Sequence, residues 1–441
     1  MSHTLSPREF KERRRRLMRS MKKNSIAIVA SAPAVVRNRD VEYPFRQHSD
    51  FHYLTGFHEP EAVLVLIPDR KEGPYILFCR PFDPEKAIWT GRHAGLEGAV
   101  DDHGADSAYS IETLELELPH LLRNRDQVYF AVGQDADLDE AVFGAVRTLR
   151  GEARSGGHPP GTFTDIEPLI HEMRLIKSAH EIEVMRKAAE VSVLGHLRAM
   201  RATQPGLHEY DIEAEIAHEF ARNGMRNLAY PSIVAGGANA CVLHYTENDH
   251  PLKDGDLLLI DAGAEYENYA ADITRTFPVS GRFSPTQRAL YDLVLEAQLA
   301  AIEEIRPGKP WNAPHDAAVK VLTQGLVRLG LLQGKPASLI RSGAYRRFYM
   351  HRTGHWLGMD VHDVGAYQIK GKWRPFEPGM VLTVEPGLYV APDDEEVDPA
   401  FRGIGIRIED DVLVTPEGHD ILTRGLPKAA EEIEHLMQAA P

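Results

Sequence analysis

A chain of 441 residues exceeds what one hydrophobic core usually supports, so two domains are expected. The formal net charge of −15 argues against nucleic acid as the main partner, because such binders need a basic footprint. Only two cysteines occur, Cys79 and Cys241; they exclude a disulfide framework and a thiolate metal centre, and they suit inert thiols in a reducing compartment, the cytoplasm.

Lys11 to Lys23 is strongly basic and Ser25 to Val36 mildly apolar, a pairing that mimics a secretory signal. The apolar run is short and Pro33 interrupts it, so a helix followed by the first strand of a folded domain is expected instead. No stretch approaches the ~18 apolar residues of a membrane span, so no membrane partner is expected. Ala62 to Ile67 and Tyr75 to Phe78 are apolar runs bounded by Pro and Gly and read as strands. Ile111 to Leu122 and Leu138 to Leu149 carry helical spacing. Gly151 to Thr164 is rich in Gly and Pro and suits a linker. Ser178-Ala-His-Glu181 matches a capping box, which predicts a helix start. Helices over about 178–200, 209–223, 285–305 and 313–330 then alternate with strand-like runs. The expected class is α+β, with a smaller N-terminal α/β domain (1–172) and a larger second domain (173–441).

Chemistry concentrates in the second domain. Asp261 ends the apolar run Leu257-Leu-Leu-Ile260, and Asp272 begins Ile273-Thr-Arg-Thr-Phe277. The stretch between them is a plausible hairpin, and a turn centred between Tyr266 and Glu267 would set the two aspartates opposite each other, their Cβ atoms ~5 Å apart. Met380 to Val384 leads into Glu385. In Gly403-Ile-Gly-Ile-Arg-Ile-Glu409 the isoleucines face one side while Gly405, Arg407 and Glu409 share the other. His351, His355 and His362 fall within twelve positions, among Gly and apolar residues. Four carboxylates and an imidazole in apolar settings are costly to bury without positive charge between them. Two divalent cations would meet that need, and such a pair is a device for hydrolysing amides. Oxygen ligands, one imidazole and no sulfur favour manganese, cobalt or iron(II) over a structural zinc site. Competing patterns are missing: there is no HExxH helix, no P-loop and no Gly-x-Ser-x-Gly elbow.

Three segments carry a resemblance: His351-x-Thr-Gly-His-Trp-Leu-Gly-x-Asp-Val-His-Asp-Val-Gly365, Val384-Glu-Pro-Gly-Leu-Tyr389 and Gly403-Ile-Gly-Ile-Arg-Ile-Glu-Asp410. With Arg46-Gln-His-Ser-Asp-Phe-His-Tyr-Leu-Thr-Gly-Phe57, they resemble the methionine aminopeptidase/prolidase superfamily, and within it the Xaa-Pro aminopeptidase (aminopeptidase P) family. The resemblance implies a creatinase/prolidase-type N-terminal domain and a pita-bread catalytic domain. It implies Asp261, Asp272, His355, Glu385 and Glu409 as metal ligands, with Asp272 and Glu409 bridging two divalent ions, Mn2+ first and Co2+, Fe2+ or Zn2+ as substitutes. Glu385, His362, His351, His244 and Arg407 are the implied catalytic residues. Cleavage before proline by water activated on two cations follows, with proline-containing peptides as substrates and a homo-dimer or homo-tetramer as the assembly. Prolidase action on Xaa-Pro dipeptides is the nearest alternative. A metal-free pita-bread binding module and a creatinase-like hydrolase are the others. Arg352 stands where such proteins often have Gly; it alters the pocket rim and removes no ligand.

Overall fold

The computed structural model describes residues 5–152, 154 and 156–439. Two compact units divide between Arg174 and Leu175. In the first, a six-stranded mixed sheet runs in the spatial order Ser107–Ser110, Tyr75–Cys79, Val63–Leu66, Ser25–Ala30, Gln127–Tyr129, Thr162–Thr164. Ile26, Ile28, Val65 and Phe78 from the sheet pack with Leu118 and Leu122 of helix Leu114–Leu122 and Val142 and Leu149 of helix Ala136–Gly151. The basic segment forms the helix Pro7–Ser20 and leads into strand Ser25–Ala30. Its arginines are not all solvated: Arg13 and Arg14 are buried, donating to the carbonyls of Tyr53 and Leu54.

The stretch expected as a linker lies wholly inside this unit. Thr162–Thr164 pairs in parallel with Gln127–Tyr129 as the sheet's edge, so the Gly and Pro before it serve a loop between a helix and a strand. Ala153 and Ser155 of that stretch lie outside the described residues.

The second unit is built from two helix pairs and short antiparallel sheets. Ala179–Ala202 packs on Glu209–Arg222, and Pro285–Ile302 on Ala313–Arg328. The predicted capping box is present: Ser178 Oγ accepts from the Glu181 N–H, and Glu181 accepts from the Ser178 N–H. Ser284 and Gln287 repeat the device at the start of the third helix. Each box satisfies backbone donors that the first helical turn leaves free. Strand Leu257–Asp261 lies between Ile233–Gly236 and Thr274–Pro278, and Val381–Val384 pairs with Asp410–Thr415. Gly387–Tyr389 pairs with Gly405–Arg407, while the Glu409 N–H bonds the Thr274 carbonyl at 3.0 Å. That contact brings the segment carrying Arg407 and Glu409 against the strand that follows Asp272.

The hairpin register differs from the sequence expectation. Its turn residues are Glu267 and Asn268, both at positive φ, between paired Tyr266 and Tyr269. Asp261 therefore faces Thr274, with Asp272 two residues before it and outside the strand. Asn268, a residue that tolerates the left-handed region, marks the true turn.

Gly263 is dictated by this packing. A Cβ there would lie 1.7 Å from the carbonyl oxygen of Ala271, across the hairpin that carries both aspartates. Backbone rather than a flexible side chain would have to move, so Gly263→Ala should cost about 2–3 kcal/mol or more. Calorimetry is expected to show a lowered unfolding temperature for the second unit; an unchanged one would contradict this packing.

Candidate metal centre

All nine residues singled out by sequence line one cavity of about 900 Å3: His244, Asp261, Asp272, His351, His355, His362, Glu385, Arg407 and Glu409. Strand ends supply three of the four acids. Asp261 terminates Leu257–Asp261, Glu385 follows Val381–Val384, and Glu409 lies two residues past Gly405–Arg407. Glu409 and Arg407 are buried, so the strand face they share points inward rather than to solvent. The space that Gly405 leaves is taken by backbone: a Cβ there would meet the Ala240 carbonyl oxygen at 2.3 Å.

The geometry converges on a small volume. His355 Nε2 lies 3.3 Å from Asp272 Oδ2 and 3.7 Å from Glu385 Oε1. Asp272, His355 and Glu409 each offer a ligand atom within 4.8 Å of the others. His355 Nδ1 is 2.9 Å from the Trp356 carbonyl, which can only accept, so Nδ1 carries a proton and Nε2, turned to the carboxylates, is the nitrogen that would ligate a metal. Tyr230 Oη sits 2.6 Å from Asp261 Oδ1 and 2.5 Å from Asp272 Oδ1. One hydroxyl hydrogen cannot satisfy two carboxylates at once.

Electrostatics record the same shortage of positive charge. Burial, with Asp272 and Asp261 close by, pushes Glu385 up to about 7 although His355 and Arg407 oppose it. Burial and the neighbouring carboxylates raise Glu409 well above its ordinary range. Asp261 is raised by burial despite Arg407. His355 is penalised by burial, yet its bond to Asp272 and the Glu385 charge lift it to about 9. Protons thus crowd onto a cluster of oxygens with one imidazole nitrogen, which is what a donor set for hard cations does when one guanidinium is too little to balance it. The donor chemistry fits divalent metal.

A second layer fixes these groups. Arg407 donates to Asp261 Oδ2 (2.7 Å), Thr274 Oγ1 (3.1 Å) and Tyr389 Oη (3.0 Å). Thr274 Oγ1 in turn donates to Glu409 Oε2 at 2.6 Å. His351 Nδ1 faces the Arg352 carbonyl, so its Nε2, 2.9 Å from Tyr389 Oη, accepts the tyrosine hydrogen. Burial and the Arg407 charge push His351 down to about 4, which keeps it neutral. His362 and His244 are exposed at the cavity mouth, His362 edge-on to His355 at 4.3 Å between ring centres. Buried Glu209 accepts from the Gly236 N–H, Asn239, Tyr245 and the His250 N–H at 2.7–2.9 Å, gripping the His244 loop on both sides.

Sequence reasoning missed Tyr230, Thr274, Tyr389 and the aromatic wall of Trp311, Tyr367 and Trp373. Tyr389 left a signal, since a phenol within a buried strand needs a partner. Tyr230 left none: it lies in a loop and meets the aspartates only through the fold.

Comparison with known proteins gives the same picture. Residues 183–416 match the model for Metallopeptidase family M24, and residues 10–129 that for the Aminopeptidase P, N-terminal domain. The chain is 48% identical to the Xaa-Pro aminopeptidase of Escherichia coli over 99% of both chains. It is 47% identical to that of Haemophilus influenzae over 98% of both. Among solved structures it is similar to Pseudomonas aeruginosa aminopeptidase PepP, with TM-score 0.98 and 55% identity over 99% of each chain. It is also similar to a zinc-substituted E. coli aminopeptidase P in complex with product, with TM-score 0.96 and 48% identity over 99% of each chain.

A donor set loaded with protons must shed them when metal enters. Titrating Mn2+ into EDTA-stripped protein in weak buffer at pH 7 should release about one to two protons per site, and affinity should strengthen as pH rises, about tenfold per unit for each proton displaced. A pH-independent affinity without proton release would contradict the assigned charge states.

Proposed function

The chain belongs to metallopeptidase family M24, and on that premise we propose that it is a dinuclear metal-dependent aminopeptidase that removes the N-terminal residue from peptides with proline second. The observation that carries this reading is the meeting of Asp261, Asp272, His355, Glu385 and Glu409 on the floor of one cavity whose lining also includes Trp311, Tyr367 and Trp373. The names of its E. coli and H. influenzae relatives support the Xaa-Pro preference.

In this reading Asp261, Asp272, His355, Glu385 and Glu409 hold two divalent ions, Mn2+ in the native enzyme. The ions supply an activated water nucleophile and charge stabilisation of the amide being attacked. The side chains do the rest. Glu385 accepts a proton from the nucleophile and returns it to the departing proline nitrogen. His362, at the mouth beside His355, donates to the scissile carbonyl oxygen as charge develops there. Arg407 holds Asp261 in place by a 2.7 Å bond, and Asp261 receives the substrate's α-amino group. His351, oriented by Tyr389, and His244 position the peptide. Proline offers no amide hydrogen, so its ring is recognised by shape against the aromatic wall.

The same reading places the enzyme in the cytoplasm as a homo-oligomer. Cys79 and Cys241 are free thiols, in keeping with a reducing compartment. Among the described residues no helix is long and apolar enough to cross a membrane. Ile88 and Trp89, 83% and 88% exposed on helix Pro84–Thr90, suit contact between copies.

The test is a pair of assays. EDTA should abolish hydrolysis of Gly-Pro-Ala and Mn2+ should restore it, with Gly-Pro cleaved far more slowly; faster turnover of the dipeptide would make the enzyme a prolidase, and chelator-resistant cleavage would overturn the metal reading. Glu385→Gln should lower kcat by about 10²–10⁴, with circular dichroism confirming an intact fold.

A further inference from the structure

One charged residue of the cavity lining is not used by this chemistry. Arg352 lies between His351 and His355 in sequence, lines the cavity and is exposed at its mouth. Its Nη2 donates to the Asn312 side-chain carbonyl, and its guanidinium lies 5.3 Å from the centre of the Trp373 ring. Those are its partners among the described residues, and no carboxylate is among them. The contrast with Arg407, the other arginine of the lining, is direct. Arg407 is buried and its donors are spent on Asp261, Thr274 and Tyr389. Arg352 is held on one side by an amide and an aromatic ring, which limits its freedom, while the charge itself is left without a counter-ion. A guanidinium so placed presents a preoriented fork for a carboxylate.

Which part of a peptide reaches it follows from direction. If the free amino end is held at the acidic floor, as in the aminopeptidase reading on which this inference rests, the residues beyond the scissile bond run outward to the mouth. We propose that Arg352 is a specificity-determining residue that binds a carboxylate on the leaving side of the peptide. That carboxylate is either the C-terminus of a tripeptide or an acidic side chain at the third position.

Two substrate pairs separate the sources: Ala-Pro-Ala against its C-terminal amide, and Ala-Pro-Glu-Ala-amide against Ala-Pro-Gln-Ala-amide. At low ionic strength the wild-type enzyme should show a KM about two- to fivefold lower for the carboxylate member of at least one pair, as expected for a charge pair open to solvent. Because the contact lies away from the reacting bond, the preference should appear in KM and not in kcat. It should shrink toward one in Arg352→Gln, survive in part in Arg352→Lys, and fall as salt is added. The pair that responds identifies the source. Brisk turnover with no preference in the wild type, or a preference that persists in Arg352→Gln, overturns the proposal alone. Failure of the wild type to cleave any of the four peptides overturns the aminopeptidase reading and this inference with it.

Discussion

Four carboxylates share the floor of one cavity with too little positive charge to hold them, and the architecture of the second unit depends on how that imbalance is met. Arg407 is committed chiefly to Asp261, and the Tyr230 hydroxyl has one hydrogen for two aspartates. The protein alone balances the cluster by raising Glu385, Glu409 and Asp261 and by keeping His355 charged. Such a site costs folding free energy when it holds only protons and returns it when cations bind. It persists because the hairpin, the two later strands and the Arg407 network are packed for other reasons as well.

Those other reasons are backbone contacts. Glycine at 263 and 405 lets chain approach chain where any side chain would collide with a carbonyl. Helix pairs on the outside supply apolar cover: Phe277, Tyr291, Val294 and Ile408 belong to a single buried cluster. Asp261, Glu385 and Glu409 are thus presented at or just past strand ends whose positions are set by the core, which gives the rigidity that a metal site requires. His244, His362 and Arg352 are exposed at the mouth.

Much of this was legible in the sequence. Charges within apolar, alternating runs stood out as candidates at Asp261, Asp272, Glu385 and Glu409, and the structure brings all of them to the same cavity. The resemblance supplied what spacing could not, the pairing of His244 with elements a hundred residues away. What stayed hidden has physical causes. The hairpin register was misjudged because the left-handed turn is set by Glu267 and Asn268, and a shift in the turn centre moves every facing pair. The Gly- and Pro-rich stretch before Thr162 carries the same composition whether it joins domains or borders an edge strand. Tyr230 and the aromatic wall come from loops without periodicity, so only the fold reveals them.

Anomalous diffraction at the manganese edge, from crystals of the metal-loaded protein, tests the central claim most directly. Two peaks enclosed by Asp261, Asp272, His355, Glu385 and Glu409 are the predicted result. Density for metal elsewhere, or a cavity floor that stays free of it at saturating Mn2+, would contradict the account.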